Sequence, residues 1–108
     1  MPYGVEMNTI IETRTFTRRI VEIWNEDEYE DFKEFIALNP EAGQVIPGTG
    51  GVRKIRWKGK GIGKQGGARV IYYNKARSET WLLTLYAKSN QEDVLVNELK
   101  RMREAIYE

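Results

Sequence analysis

The chain has 108 residues, with 17 Lys and Arg against 16 Asp and Glu, and it contains neither cysteine nor histidine. Those counts exclude a disulfide framework, a thiolate or imidazole metal site and a histidine acid–base pair. No apolar run approaches the roughly 18 residues of a membrane span, and the first residues lack the basic and apolar regions of a secretory signal, so residues 1–108 read as one soluble cytoplasmic domain without a cofactor.

Taken in chain order, residues 7–13 are rich in β-branched side chains and predict a first strand. Phe16, Ile20, Ile23 and Trp24 recur at helical spacing and predict a short helix. A second helix has a clearer start: Asn25 is a good N-cap, Glu28 completes a capping box, and Trp24 can staple onto Tyr29. Tyr29, Phe32, Phe35, Ile36 and Leu38 form its apolar stripe, and Asn39-Pro40 ends it. Three strands follow. Residues 52–57 alternate, with Arg53, Ile55 and Trp57 on one face and Val52, Lys54 and Arg56 on the other. Residues 68–73 set Ala68, Val70 and Tyr72 against Arg69, Ile71 and Tyr73. Residues 81–87 are apolar on both faces, as suits a central strand, and residues 74–80 are short enough for a hairpin. Leu95, Leu99, Met102 and Ile106 define an amphipathic closing helix, capped by Ser89 or Asn90. The order β-α-α-β-β-β-α predicts an α+β fold: an antiparallel sheet with two N-terminal helices and a C-terminal helix packed on one face.

The near-neutral total conceals a division of charge. Residues 20–41 hold eight acids and one base, Lys33, whereas residues 42–78 hold nine bases and no acid. Such a dipole gives one surface a positive potential that a polyanion can find; a merely solubilised loop is the other reading. The glycines from Gly61 to Gly66 match G-x-G-x-x-G, but a strand follows where a dinucleotide site needs a helix. Tight turns beside the sheet, or close approach of phosphates to backbone amides, are the remaining readings.

Lys54 and Arg56 are two apart on a strand and project from one face, as a phosphate clamp requires. Arg69 stands in an otherwise apolar strand, where a charge is costly unless paired or functional. It serves either in an ion pair with a helix carboxylate or as a bidentate phosphate ligand. Tyr73 and Tyr86 alternate toward the polar side and could stack on an RNA base. The acids gather on the second helix, away from these bases, so a two-carboxylate hydrolase or metal nuclease is weakly supported.

Four segments carry a resemblance: Leu38-Asn39-Pro40; Val45-Ile46-Pro47-Gly48-Thr49-Gly50-Gly51-Val52-Arg53-Lys54-Ile55-Arg56; Gly66-Gly67-Ala68-Arg69-Val70-Ile71-Tyr72-Tyr73; and Leu82-Leu83-Thr84-Leu85-Tyr86-Ala87-Lys88. Together they resemble the HigB branch of the RelE toxin superfamily over residues 10–107. The resemblance implies the RelE-like α+β fold and a toxin of a type II toxin–antitoxin system. It further implies a metal-independent, ribosome-dependent mRNA endonuclease that inhibits translation, in which the RNA 2′-hydroxyl attacks the neighbouring phosphate. Residue by residue, it places Lys54 and Arg56 at the strand bases of such toxins, Arg69 at the phosphate-binding arginine and Lys88 at the basic position after the last strand. Lys54 then becomes the proton acceptor, a role that neighbouring cations favour by disfavouring its charged form, and Arg69 the transition-state clamp. Arg53, Lys58, Lys60, Lys64, Tyr73 and Tyr86 are the expected RNA and ribosome contacts, the lysines acting through counterion release.

The implied partners are the 70S ribosome with its mRNA and a cognate HigA-like antitoxin bearing a helix-turn-helix domain. Ser89 and Val94-Leu95 depart from the RelE pattern, which has a second base and a tyrosine there. The match begins after Met7, so residues 1–6 read as an N-terminal extension. Two rival functions share the scaffold or the charge: a ParE-like toxin that inhibits gyrase, and a non-catalytic RNA-binding module.

Overall fold

Three strands with apolar residues on every second position, flanked by two amphipathic helices before and one after, can bury those residues only in layers around a sheet. The computed structural model describes residues 6–58, 67–87 and 94–108 and shows that arrangement. Its elements are β1 (Thr9–Glu12), α1 (Arg14–Ile23), α2 (Glu26–Leu38), β2 (Gln44–Val45), β3 (Arg53–Trp57), β4 (Ala68–Ala76), β5 (Glu79–Ala87) and α3 (Val96–Ala105). The strands lie in the order β1-β5-β4-β3-β2.

Local chemistry sets the helix starts. Thr13 Oγ1 accepts the Phe16 N–H at 3.2 Å to cap α1 and donates to the Leu83 carbonyl at 2.8 Å, tying that cap to the sheet. At α2 the Asn25 side chain accepts the Glu28 N–H while Glu28 accepts the Asn25 N–H, the full capping box. Trp24 stacks on Tyr29 at 6.4 Å between ring centroids, as the staple requires. Asn39 caps the far end of α2, directly before Pro40.

Two findings revise the expected sheet. First, β1 runs parallel to β5, so the sheet is mixed; the remaining neighbours are antiparallel. Second, the helices cover both faces. Phe16, Trp24, Phe32 and Ile36 of the N-terminal helical segment bury Val70, Tyr72, Leu82 and Leu85 on one side. Leu99 of α3 packs with Val52, Ile71, Leu83 and Tyr86 on the other. The cause is that β4 and β5 are apolar on both faces in their middle, and a second apolar face needs a second layer.

A β-bulge explains how β5 serves both cores. Ile71 pairs with Thr84 and Tyr72 with Leu82, so Leu83 is an extra residue. The insertion shifts the alternation by one. Leu82 and Leu85 therefore reach the first core, and Leu83 and Tyr86 the second.

Buried hydroxyls fasten the loop before β2. The fully buried Tyr72 donates to the Pro40 carbonyl at 2.9 Å and accepts the Gly43 N–H at 2.8 Å. Gly43 must be glycine, since a Cβ there would sit 2.8 Å from the Tyr72 hydroxyl. Burial raises the Tyr72 phenol above its ordinary 10. Tyr29 is raised further, by burial and then by its hydrogen bond to the Glu12 carboxylate. The folded chain thus keeps protons that the unfolded chain releases above pH 10, so this contribution to stability is complete below about pH 10 and lost above it. Denaturant midpoints at pH 8 and 11 should show that fall, and Tyr29→Phe should flatten it.

Among the described residues no helix is long and apolar enough to cross a membrane.

Candidate functional site

Strand register assembles the basic residues. Arg56 on β3 is the Cα partner of Arg69 on β4, which is in turn the partner of Tyr86 on β5. Two positions further along, Lys54 lies opposite Ile71, which lies opposite Thr84. Since Val52 and Ile71 belong to the α3-side core, alternation puts Lys54, Arg56 and Arg69 on that same face. Lys54 and Arg56 are exposed, Arg69 is half-buried and Tyr86 is buried. Partners in an antiparallel ladder have Cα atoms about 5 Å apart, and like charges directly opposite each other destabilise a sheet. Facing arginines with a lysine two residues away are what an anion would stabilise.

The other residues expected to meet RNA lie apart from this group. Arg53 lies on the opposite face, where its guanidinium donates to the Glu41 and Gly43 carbonyls at 3.1 and 2.6 Å. It braces the loop that Tyr72 holds and does not join Lys54 and Arg56. Tyr73 shares their face but stands four residues along the strand from Arg69, about 13 Å away. Its hydroxyl bonds that of Tyr107 at 2.8 Å, and Arg103 lies over its ring at 5.7 Å. Lys58 is exposed just past β3. Lys60, Lys64 and Lys88 lie outside the described residues, as does the G-x-G-x-x-G stretch. Neither Ser89 nor Asn90 is the cap of the closing helix: α3 begins only at Val96, with Leu95 at its N-cap.

The glycine-rich loop between β2 and β3 has a structural function. Gly48, Gly50 and Gly51 all adopt positive φ, at 81°, 80° and 109°. They fold the chain around the fully buried Thr49, whose hydroxyl donates to the Ile46 carbonyl at 2.6 Å and accepts the Val52 N–H at 3.0 Å. Arg103 of α3 donates to the Thr49 carbonyl at 3.0 Å, so the loop seats α3 on the sheet. These glycines shape a tight turn beside the sheet.

Beside Tyr86 the structure opens a cavity of about 410 Å³. It forms because β1 ends at Glu12, leaving the last residues of β5 between α1 and α3. Thr15, Arg19 and Glu22 of α1, Glu98 of α3, and Thr84 and Tyr86 of β5 are among its walls. Arg19 donates to the Leu85 carbonyl at 3.4 Å, and Glu98 accepts the Leu95 N–H at 3.4 Å. Arg19 and Glu22 are about one turn apart on α1, but sequence reasoning missed them with Glu98 because only the fold brings α1 and α3 to one strand.

Taken together, fold and site define a small α+β domain that fixes cations on strands and exposes them at one face. A family model described as the RelE toxin of the RelE/RelB toxin–antitoxin system matches residues 13–107. The chain therefore belongs to the RelE toxin family, whose members are paired with a cognate antitoxin.

Proposed function

We propose that this toxin inhibits translation by cutting mRNA on the bacterial ribosome, as the HigB-like branch of its family. The observation that carries the reading is the cross-strand pairing of Arg56 with Arg69, with Lys54 beside it on the same face. Such a group suits an RNA phosphate whose charge increases during reaction.

In this scheme the 2′-hydroxyl oxygen attacks the adjacent phosphorus and the P–O5′ bond breaks. A 2′,3′-cyclic phosphate and a 5′-hydroxyl result. Lys54 serves as the acceptor of the 2′-hydroxyl proton, and solvent supplies the proton that the departing 5′ oxygen takes up. Arg56 and Arg69 hold the non-bridging oxygens and stabilise the pentacoordinate phosphorus. Lys88 supplies further positive charge. Tyr86 is the tyrosine next to this group, since it is the register partner of Arg69; the hydroxyl of Tyr73 is engaged with Tyr107. The ribosome positions the message, with Lys58, Lys60 and Lys64 adding non-specific attraction to RNA. A HigA-like antitoxin with a helix-turn-helix domain masks the toxin in the cytoplasm.

Induced expression without the antitoxin should arrest growth and fragment translated messages. On programmed ribosomes, a 2′-deoxy sugar at the scissile position should abolish cutting, because the attacking oxygen is gone. Growth arrest with translated messages intact would overturn the nuclease reading and favour the gyrase-directed one.

A further inference from the structure

We propose that Arg103 of α3 is a positioning residue for the proposed cleavage, because its grip on the turn before β3 fixes where that strand presents Lys54. The inference rests on the nuclease reading and adds to it a residue outside the RNA-facing group.

Contacts run from α3 to β3 without a gap. Arg103 Nε donates to the Thr49 carbonyl at 3.0 Å. The Thr49 hydroxyl accepts the Val52 N–H at 3.0 Å and donates to the Ile46 carbonyl at 2.6 Å, and the Ile46 N–H donates to the Val52 carbonyl at 2.8 Å. Val52 directly precedes β3, and Lys54 is two residues further on. β3 needs a brace on this flank, because β2 meets it at only two register pairs, Gln44 with Lys54 and Val45 with Arg53. Tyr72 and Arg53 hold the far end of β2 through the loop at Gly43. Arg103 holds the turn end, from a different layer of the fold.

Arg103 is itself held rigidly. Its side chain is 23 % exposed. The guanidinium carbon lies 5.7 Å from the centre of the Tyr73 ring, whose hydroxyl is tied to that of Tyr107. The turn comes so close that a Cβ on Gly50 would stand 2.9 Å from Arg103 Nε. The ion pair with Glu104, at 3.9 Å and largely exposed on the glutamate side, is weak. What this guanidinium supplies is therefore direction, an N–H donor fixed in a plane. Direction matters for Lys54 because a proton acceptor must come within hydrogen-bond reach of the attacking hydroxyl. A displacement of about 1 Å can slow an enzyme about 100-fold.

Rates on programmed ribosomes and amide spectra of the free toxin test the proposal. Arg103→Gln should lower kcat about tenfold with KM unchanged, the pattern of an interaction realised only in the transition state. It should also shift the amide resonances of Val52 and Lys54. Arg103→Lys keeps the charge that favours a helix end but not the planar head over Tyr73, so it should regain stability to denaturant without regaining kcat. Ile106→Ala removes apolar contact between α3 and the sheet and leaves the turn untouched. It should lower stability at least as much as Arg103→Gln while keeping the parent's kcat. A parental kcat in Arg103→Gln, full recovery in Arg103→Lys, an equal loss of kcat in Ile106→Ala, or unmoved Val52 and Lys54 amides would each overturn the proposal. Should the parent leave translated messages uncut, the nuclease reading fails, and the amide shifts alone decide whether Arg103 sets the position of β3.

Discussion

Arg69→Ala is expected to release growth arrest and to slow cleavage of translated messages by about 100- to 1,000-fold, the usual loss when one preorganised charge-stabilising donor is removed. The argument is geometric. Arg69 sits in the middle strand of the site, opposite Arg56 on one side and Tyr86 on the other. Its half-buried position limits its hydration, which strengthens its attraction for a phosphate. Arg69→Lys should recover only part of the rate, because an ammonium keeps the charge but loses the planar two-pronged donor. Rates on programmed ribosomes and growth after induction give the two readouts. Full activity of Arg69→Ala would remove this arginine from the chemistry and shift attention to Lys54 and Lys88.

The largest effect on stability is expected at Tyr72. Tyr72→Ala should cost about 3–5 kcal/mol, the range for truncating a buried aromatic. Against a total of roughly 5–15 kcal/mol for such a domain, that is enough to deplete the folded state. Tyr72→Phe isolates the hydroxyl. It keeps the ring but strands the buried Gly43 N–H and removes a donor from the Pro40 carbonyl, so a loss of about 1–3 kcal/mol is expected. The loop involved carries both carbonyls that Arg53 binds and leads into β2, the neighbour of β3. Tyr72→Phe should therefore also loosen the edge that presents Lys54. Chemical denaturation of both variants measures the cost, and a Tyr72→Phe protein as stable as the parent would contradict this account of the loop.

What is legible in the sequence follows the range of the interactions involved. The start of α2 can be read to the residue, because a capping box and a staple are complete within five positions. The shared face of Lys54 and Arg56 is equally accessible, since strand alternation decides it, but only the β3–β4 register brings Arg69 to them. The parallel β1–β5 pairing is not, because nothing local tells residue 9 that its partner is residue 79. The two-residue β2 also escapes notice, being too short to show alternation. The second helical layer is implicit in a strand apolar on both faces, yet helical periodicity alone does not say which face each helix covers. Tyr86 illustrates the mixed case. Alternation suggests its polar neighbourhood, but the bulge at Leu83 is what determines which side it reaches. Arg19, Glu22 and Glu98 form a group only after α1 and α3 have found β5 from opposite ends of the chain.

The pairing of β1 with β5 also dictates when the protein can take shape. The β4–β5 hairpin, closed by Arg77 and Ser78, needs only neighbouring residues and can form early. The N-terminal strand and its following helix must wait, for Thr9 pairs with Glu79 and Thr13 hands its N–H to the Leu82 carbonyl. Ordering so long a stretch before its contacts form is slow. A nascent chain still holding residue 82 inside the ribosomal tunnel has its first two helices but no strand to receive them. The register pair of Arg56 and Arg69 is then without its third strand. The face that carries Lys54, Arg56 and Arg69 is thus complete only after β5 has left the tunnel.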